Sequence, residues 1–146
     1  MMSTSTDLSN CYPDVWLQTW DWNNLCVSYV TPGISNNRPT IVLIHGFGAC
    51  KEHWRHNLKV LDEHFAVVAI DLVGFGHSSK PPSILDGELP NPEQSNVRYG
   101  IDFWASQITA FIKAHIQQPV ALVGNSIGGV VALAAASQLE HEGTSA

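Results

Sequence analysis

The chain has 146 residues, the usual length of one domain and enough to bury a core. Apolar residues make up 45% and charged residues 14%, a balance that excludes disorder and suits sheets covered on both faces. The net charge of -6 comes without a Lys/Arg block or basic-aromatic stripe, which argues against a nucleic-acid partner, and no apolar stretch reaches membrane-spanning length.

Met1 to Asn10 is polar and lacks the charged start and apolar run of a signal peptide. Cys11, Cys26 and Cys50 are odd in number and have no paired spacing, so neither a disulfide framework nor a zinc knuckle is indicated. A soluble cytoplasmic protein is expected, with residues 1–14 a polar tail and 15–146 the folded core.

The first patterned segment, Val15 to Trp22, alternates so that Trp16, Gln18, Trp20 and Trp22 share one face. Asn23 and Asn24 tolerate positive φ and lead into Leu25 to Val30, which predicts an antiparallel hairpin closed by Pro32-Gly33. Three short apolar runs then follow without alternation: Ile41 to Ile44, Ala66 to Ile70, and Val120 to Val123. Continuous β-branched runs mark strands covered on both faces, hence a parallel sheet.

Helical spacing joins Trp54, Leu58, Leu61 and Phe65, then Ile101, Trp104, Ile108 and Phe111, and finally Ile127, Val130, Val131 and Ala134. The order is a hairpin and then βαβαβα. Such units pack as an open α/β sheet with helices on both sides and sites at the carboxyl ends of the strands. Ser78 to Arg98, rich in proline, has no periodicity; it either borders the substrate entrance or is a surface loop.

Directly after the third run stands Gly124-Asn125-Ser126-Ile127-Gly128, a Gly-x-Ser-x-Gly elbow in its required strand-to-helix context. A sharp turn there holds the serine Oγ clear of the sheet, with space only for glycine at the flanking positions. The helix behind it aims free N–H groups at the same spot, so the Ile127 N–H can stabilise an oxyanion. His45-Gly46-Phe47-Gly48 ends the first buried strand. Its loop can offer a second backbone N–H, that of Phe47, and its glycines permit the approach. His45 is expected to hydrogen-bond the loop backbone rather than act as a base.

Three segments together, Ile41 to Gly48, Asp71-Leu72-Val73-Gly74-Phe75-Gly76-His77-Ser78, and Val123 to Gly129, resemble the successive landmarks of the serine α/β-hydrolase superfamily, in family order. The likeness runs from about Trp16 to Leu139. The Trp54 segment and the Gly-Asn-Ser-Ile-Gly elbow look most like hydrolases related to pheophytinase, which split a phytyl ester. The dehalogenase and epoxide-hydrolase branches carry Asp at the elbow, where this chain has Ser126. The resemblance implies the N-terminal portion of an α/β-hydrolase fold, a mostly parallel sheet with an N-terminal hairpin. It also implies ester or amide hydrolysis by Ser126, no cofactor, a small apolar ester-like substrate, and structural roles for Asp71 and Gly74-Phe75-Gly76. His77 is expected at a rim, and His53 and His56 on a solvated helix face, with no metal.

In this family the order is serine, acid, histidine. After Ser126 the only candidates are Glu140, His141 and Glu142. A residue four turns along a helix lies about 20 Å from its start, at 1.5 Å per residue, so His141 is out of reach. The sequence therefore reads as a truncated, poorly stable and nearly inactive hydrolase with Val120 to Val123 on an open edge, prone to self-association or to pairing with a complementing chain. The alternatives are a non-catalytic module that binds a small apolar ligand and one half of a two-chain enzyme.

Overall fold

A computed structural model describes residues 11–35, 37–94, 96–117 and 119–143. Of the expected tail over residues 1–14, Met1 to Asn10 lie outside the described residues, whereas Tyr12 is tied to the core, its hydroxyl donating to Glu52 Oε1 at 2.6 Å. Strands β1 (Leu17–Trp22) and β2 (Leu25–Val30) pair antiparallel from Leu17 opposite Val30 to Trp22 opposite Leu25. Asn23 and Asn24 join them at φ 52° and 64°. Two successive left-handed residues match the twist of the flanking strands, and asparagine pays little for that conformation.

The hairpin does not hold all four expected residues on one face. Gln18, Trp20 and Trp22 do share a face of β1, the two tryptophans packing against the main core while Gln18 stays exposed and its amide donates to the Val15 carbonyl at 3.1 Å; Trp16 departs from it. Trp16 ends a 3-10 turn, Asp14–Trp16, whose bond from the Trp16 N–H to the Pro13 carbonyl breaks the two-residue period. Its ring joins the opposite core beside Tyr12 and Trp54.

β3 (Thr40–Ile44), β4 (Ala66–Ile70) and β5 (Val120–Gly124) run parallel, and the sheet order is β1-β2-β4-β3-β5. β2 attaches antiparallel to β4 through Tyr29 and Val30. The non-alternating runs are explained by the two cores. Val42, Ile44, Val68 and Ile70 face one cluster with Trp104, Ile108, Phe111, Val131 and Ala135. Ile41, Leu43, Val67 and Ala69 face the other, with Leu58 and Trp54. The runs in β3 and β4 are apolar throughout because both of their faces are covered, whereas β5 packs Val120 and half-buried Leu122 against the first core on one face and leaves Ala121 and Val123 exposed on the other.

The first expected helix is interrupted. A 3-10 turn, Lys51–Trp54, is followed by the short α1 (Leu58–Asp62). The spacing of Trp54, Leu58 and Leu61 does report shared burial. The turns tighten because the backbone N–H of Lys51 is drawn to Asp71 Oδ1 at 2.6 Å and the following bonds, Arg55 to Glu52 and Asn57 to Trp54, reach back three residues.

α2 (Ile101–His115) buries Trp104, Ile108 and Phe111 as its spacing predicts. α3 (Ile127–His141) buries Gly128, Val131, Ala132, Ala135 and Leu139, whereas Val130, expected on the packed side, is 51% exposed. α3 is apolar nearly all round, so periodicity could not choose its inner face. Its outward side, with Val130 and Leu133, flanks β5, which has β3 on one side and no strand on the other among the described residues. No helix of the described residues is long and apolar enough to cross a membrane.

Candidate active site

β3 connects to β4 on one side of it, and the chain then crosses back past β3 to place β5 on its other side, so the strand order reverses at β3. The crevice at such a reversal of strand order is where open α/β sheets bind ligands. The two strands bordering it end level, Ile44 opposite Gly124, and the Asn125 N–H donates to the Ile44 carbonyl at 3.1 Å. The His45 loop and the Ser126 turn therefore leave the sheet side by side.

Ser126 sits at φ 55° and ψ −124° between β5 and α3, and it is exposed. A non-glycine residue held there costs about 1 to 3 kcal/mol. The turn is tied by Gly128 N–H to the Asn125 carbonyl and by Gly129 N–H to the Ser126 carbonyl, each at 2.9 Å. Its flanking glycines are steric necessities. A Cβ at Gly124 would stand 2.1 Å from the Gly128 carbonyl oxygen, and one at Gly128 would stand 2.4 Å from that of Ile44.

A Cβ at Gly46 would lie 3.2 Å from the Asn125 carbonyl oxygen and 3.3 Å from Ser126 Cβ, so the His45 loop rests directly on the elbow. Gly48, at φ 71°, turns that loop, and Phe47 projects with 75% of its surface exposed. Among the described residues, neither the Phe47 N–H nor the Ile127 N–H donates to a protein acceptor. The structure thus gathers His45, Gly46, Phe47, Gly48, Gly124, Asn125, Ser126, Ile127 and Gly128 at one corner.

His45 is fully buried and spent on the backbone. Its Nε2 accepts the Leu72 N–H at 3.0 Å, so Nδ1 carries the proton and donates to the Gly46 carbonyl at 2.8 Å. Burial pushes its pKa below the usual histidine value, outweighing the Gly46 hydrogen bond and the nearby Asp71 charge. His141 closes α3, about 21 Å along the axis from Ile127 at 1.5 Å per residue. Among the described residues, no side chain hydrogen-bonds Ser126 Oγ.

Asp71 shapes the neighbouring loop. Its Oδ1 accepts the Lys51 N–H, and its Oδ2 accepts the His77 N–H at 2.8 Å and Lys51 Nζ at 2.9 Å. The Lys51 side chain, unexpected from the sequence, is wholly buried, and its ammonium also meets Glu52 Oε1 at 3.1 Å and His77 Nδ1 at 3.0 Å. Glu52, Asp71 and His77 could offer ligand atoms to a metal within 4.8 Å of one another, but Lys51 Nζ already occupies the position among them. The only sequence signal for this network was a carboxylate at a strand end. Gln107 was also missed: its Oε1 accepts the Val73 N–H at 2.9 Å and its Nε2 donates to the Asp71 carbonyl at 3.1 Å. His53 and His56 are both exposed, in the 3-10 turn and the bend after it rather than on a helix.

Residues 39–142 match the alpha/beta hydrolase fold family. The chain belongs to that family. It is 33% identical over 104 residues to 2-hydroxy-6-oxo-2,4-heptadienoate hydrolase of Pseudomonas putida, a match covering 69% of this chain and 33% of that protein. It is 29% identical over 140 residues to the chloroplastic pheophytinase of Arabidopsis thaliana, covering 83% of this chain and 29% of the relative. Among solved structures, a membrane phospholipase A described as a bacterial virulence factor superposes with a TM-score of 0.69 at 34% identity. That match covers 86% of this chain and 36% of the phospholipase. This alpha/beta hydrolase chain thus spans about a third of the length of the proteins it matches.

Proposed function

We propose that the chain carries the nucleophile and oxyanion-holding part of a hydrolase that cleaves ester-type or amide-type bonds by acyl transfer to Ser126. The observation that carries this is the Ser126 backbone, strained at a strand-helix corner with the Gly46 loop laid against it. Nothing local favours a serine in that conformation, and such strain clusters where geometry serves a function.

In this reading Ser126 Oγ attacks the carbonyl carbon and the bond to the leaving group breaks. Water then releases the acyl group from the serine. The free N–H groups of Phe47 and Ile127 receive the oxyanion, helped by the positive end of α3. Residues 15–146 act as one core unit, and the steps draw on no metal or organic cofactor. A hydroxyl needs a base. Because His45 is committed and His141 is distant, the base and its acid partner come from outside these residues. The 146 residues alone should turn over esters poorly, since a serine protease without its histidine loses on the order of a million-fold in turnover. Small apolar ester-like substrates are the favoured class, in keeping with relatives named as a pheophytinase and a phospholipase.

Labelling with a fluorophosphonate, read by intact mass and peptide mapping, tests the reading. Slow single modification at Ser126, accelerated by added imidazole and abolished by Ser126→Ala, is expected. Equal labelling of the Ser126→Ala chain would overturn it.

A further inference from the structure

Beside the elbow lies a groove of about 470 Å³ that no step above uses; its lining includes Phe47, Phe75, Lys80, Ser83, Tyr99 and Trp104. It begins one residue from Gly46, the residue that touches the Ser126 turn. Its walls are a chain of rings. Phe75 meets Phe47 edge-on at 5.4 Å and Trp104 at 5.8 Å, and Tyr99 lies 6.2 Å from Trp104. The polar ends of these rings are already satisfied by backbone: Tyr99 OH donates to the Pro81 carbonyl at 2.6 Å and Trp104 Nε1 to that of Val73 at 2.9 Å. The rings thus offer apolar and π surface.

The outer wall is built rather than loose. Ser83 bridges Val97, with Ile84 N–H donating to the Val97 carbonyl at 2.9 Å and Val97 N–H to that of Pro82 at 3.1 Å. At the rim, Lys80 Nζ donates to the carbonyls of Gly76 and Ser78. Among the described residues, no carboxylate lies within ion-pair distance of it. Two neutral acceptors hold the ammonium in place while its charge stays uncompensated and one N–H stays available.

We propose that this groove is a substrate subsite for a flat aromatic or conjugated body bearing a carboxylate, the rings stacking on the body and Lys80 pairing with the acid. The identity of the ligand as substrate rests on the serine reading above; the binding itself does not. A carboxylate meeting a positioned ammonium forms a charge-assisted hydrogen bond, and flat rings gain from offset or edge-on contact with the aromatic wall.

Calorimetric titration of the 146-residue chain with 2-naphthoate and with its neutral amide tests the proposal. The acid should bind about fivefold more tightly than the amide. Lys80→Gln should erase that preference and Lys80→Arg should restore it. Phe75→Ala should weaken both probes, and Lys59→Gln, which removes a cation from α1, should change neither. Equal affinity for acid and amide, an unchanged preference in Lys80→Gln, or no binding of either probe to the folded chain would overturn the subsite. Binding without fluorophosphonate labelling would instead count against the serine mechanism alone.

Discussion

Alanine at Gly128 and at Gly129, adjacent positions on the same helix, should shift stability in opposite directions. A Cβ at Gly128 would stand 2.4 Å from the Ile44 carbonyl oxygen and 2.5 Å from that of His45. An ordinary carbon-oxygen contact is about 3.3 Å, so α3 and the end of β3 must separate by roughly 0.9 Å. Neither side yields easily, because both obstacles are backbone and the elbow is tied by the Asn125 and Ser126 carbonyls. Overpacking costs about 1 to 3 kcal/mol, and more when backbone must move, while alanine's better helix propensity returns up to about 1 kcal/mol. A net loss of about 2 kcal/mol should lower Tm by roughly 4 to 8 °C. At Gly129 the nearest atom to a new Cβ is 3.4 Å away, an ordinary contact. Gly129→Ala should therefore gain about 0.5 to 1 kcal/mol from propensity and the stiffened unfolded chain. Thermal unfolding followed by far-UV circular dichroism reads both. A Gly128→Ala chain as stable as the parent, or a Gly129→Ala chain destabilised as much as Gly128→Ala, would refute the packing of α3 against β3.

Lys51→Met should destabilise the chain by about 3 to 5 kcal/mol in urea unfolding, because it strands the buried carboxylates of Asp71 and Glu52; a loss under about 1 kcal/mol would mean water already reaches them. For Glu52, burial raises the carboxyl pKa, but hydrogen bonds from Tyr12, Cys50 and Lys51 and the Lys51 charge outweigh it and bring it from 4.5 to about 2. Its folded pKa is thus depressed, so its stabilisation is present above pH 4.5 and is lost as pH falls toward 2. The Tm gap between the parent and Glu52→Gln should narrow across that window, and a constant gap would contradict the assignment. At neutral pH, nitrogen-15 NMR should find His45 neutral with its proton on Nδ1, since burial depresses its pKa and Leu72 occupies Nε2; an imidazolium signal would rule this out. Sedimentation should show concentration-dependent self-association that Val123→Lys with Leu133→Lys reduces, because both residues are exposed beside the unpaired side of β5; a monomer at all concentrations would exclude the edge as the cause.

Local chemistry made much of the site legible. Asn23-Asn24 had to turn a hairpin, and glycines at 124 and 128 around a serine at a strand end had to make an elbow, since each needs only its neighbours to specify its backbone. His45 was readable as a backbone clamp for the same reason: a histidine at a strand end finds N–H and carbonyl groups close by. Where the sequence misled, the cause was a periodicity without contrast. α3 is apolar on most sides, so Val130 looked as buried as Val131, and a helical spacing from Trp54 to Phe65 could not reveal the 3-10 turn that Asp71 imposes.

The amino-acid sequence by itself determined the strands, the elbow and the loop that faces it, because covered-strand runs and glycine-flanked turns are encoded within a few residues. Only the tertiary structure decided that β5 crosses to the far side of β3, which places Gly46 against Ser126. It also decided that Lys51 is buried between Asp71 and Glu52 and that Phe47, Phe75, Tyr99 and Trp104 share one groove with Lys80. The pairings of Gly46 with Ser126, Lys51 with Asp71 and Phe75 with Trp104 join residues tens of positions apart, and the energy of a contact across such a distance exists only once the sheet order has brought its two halves together.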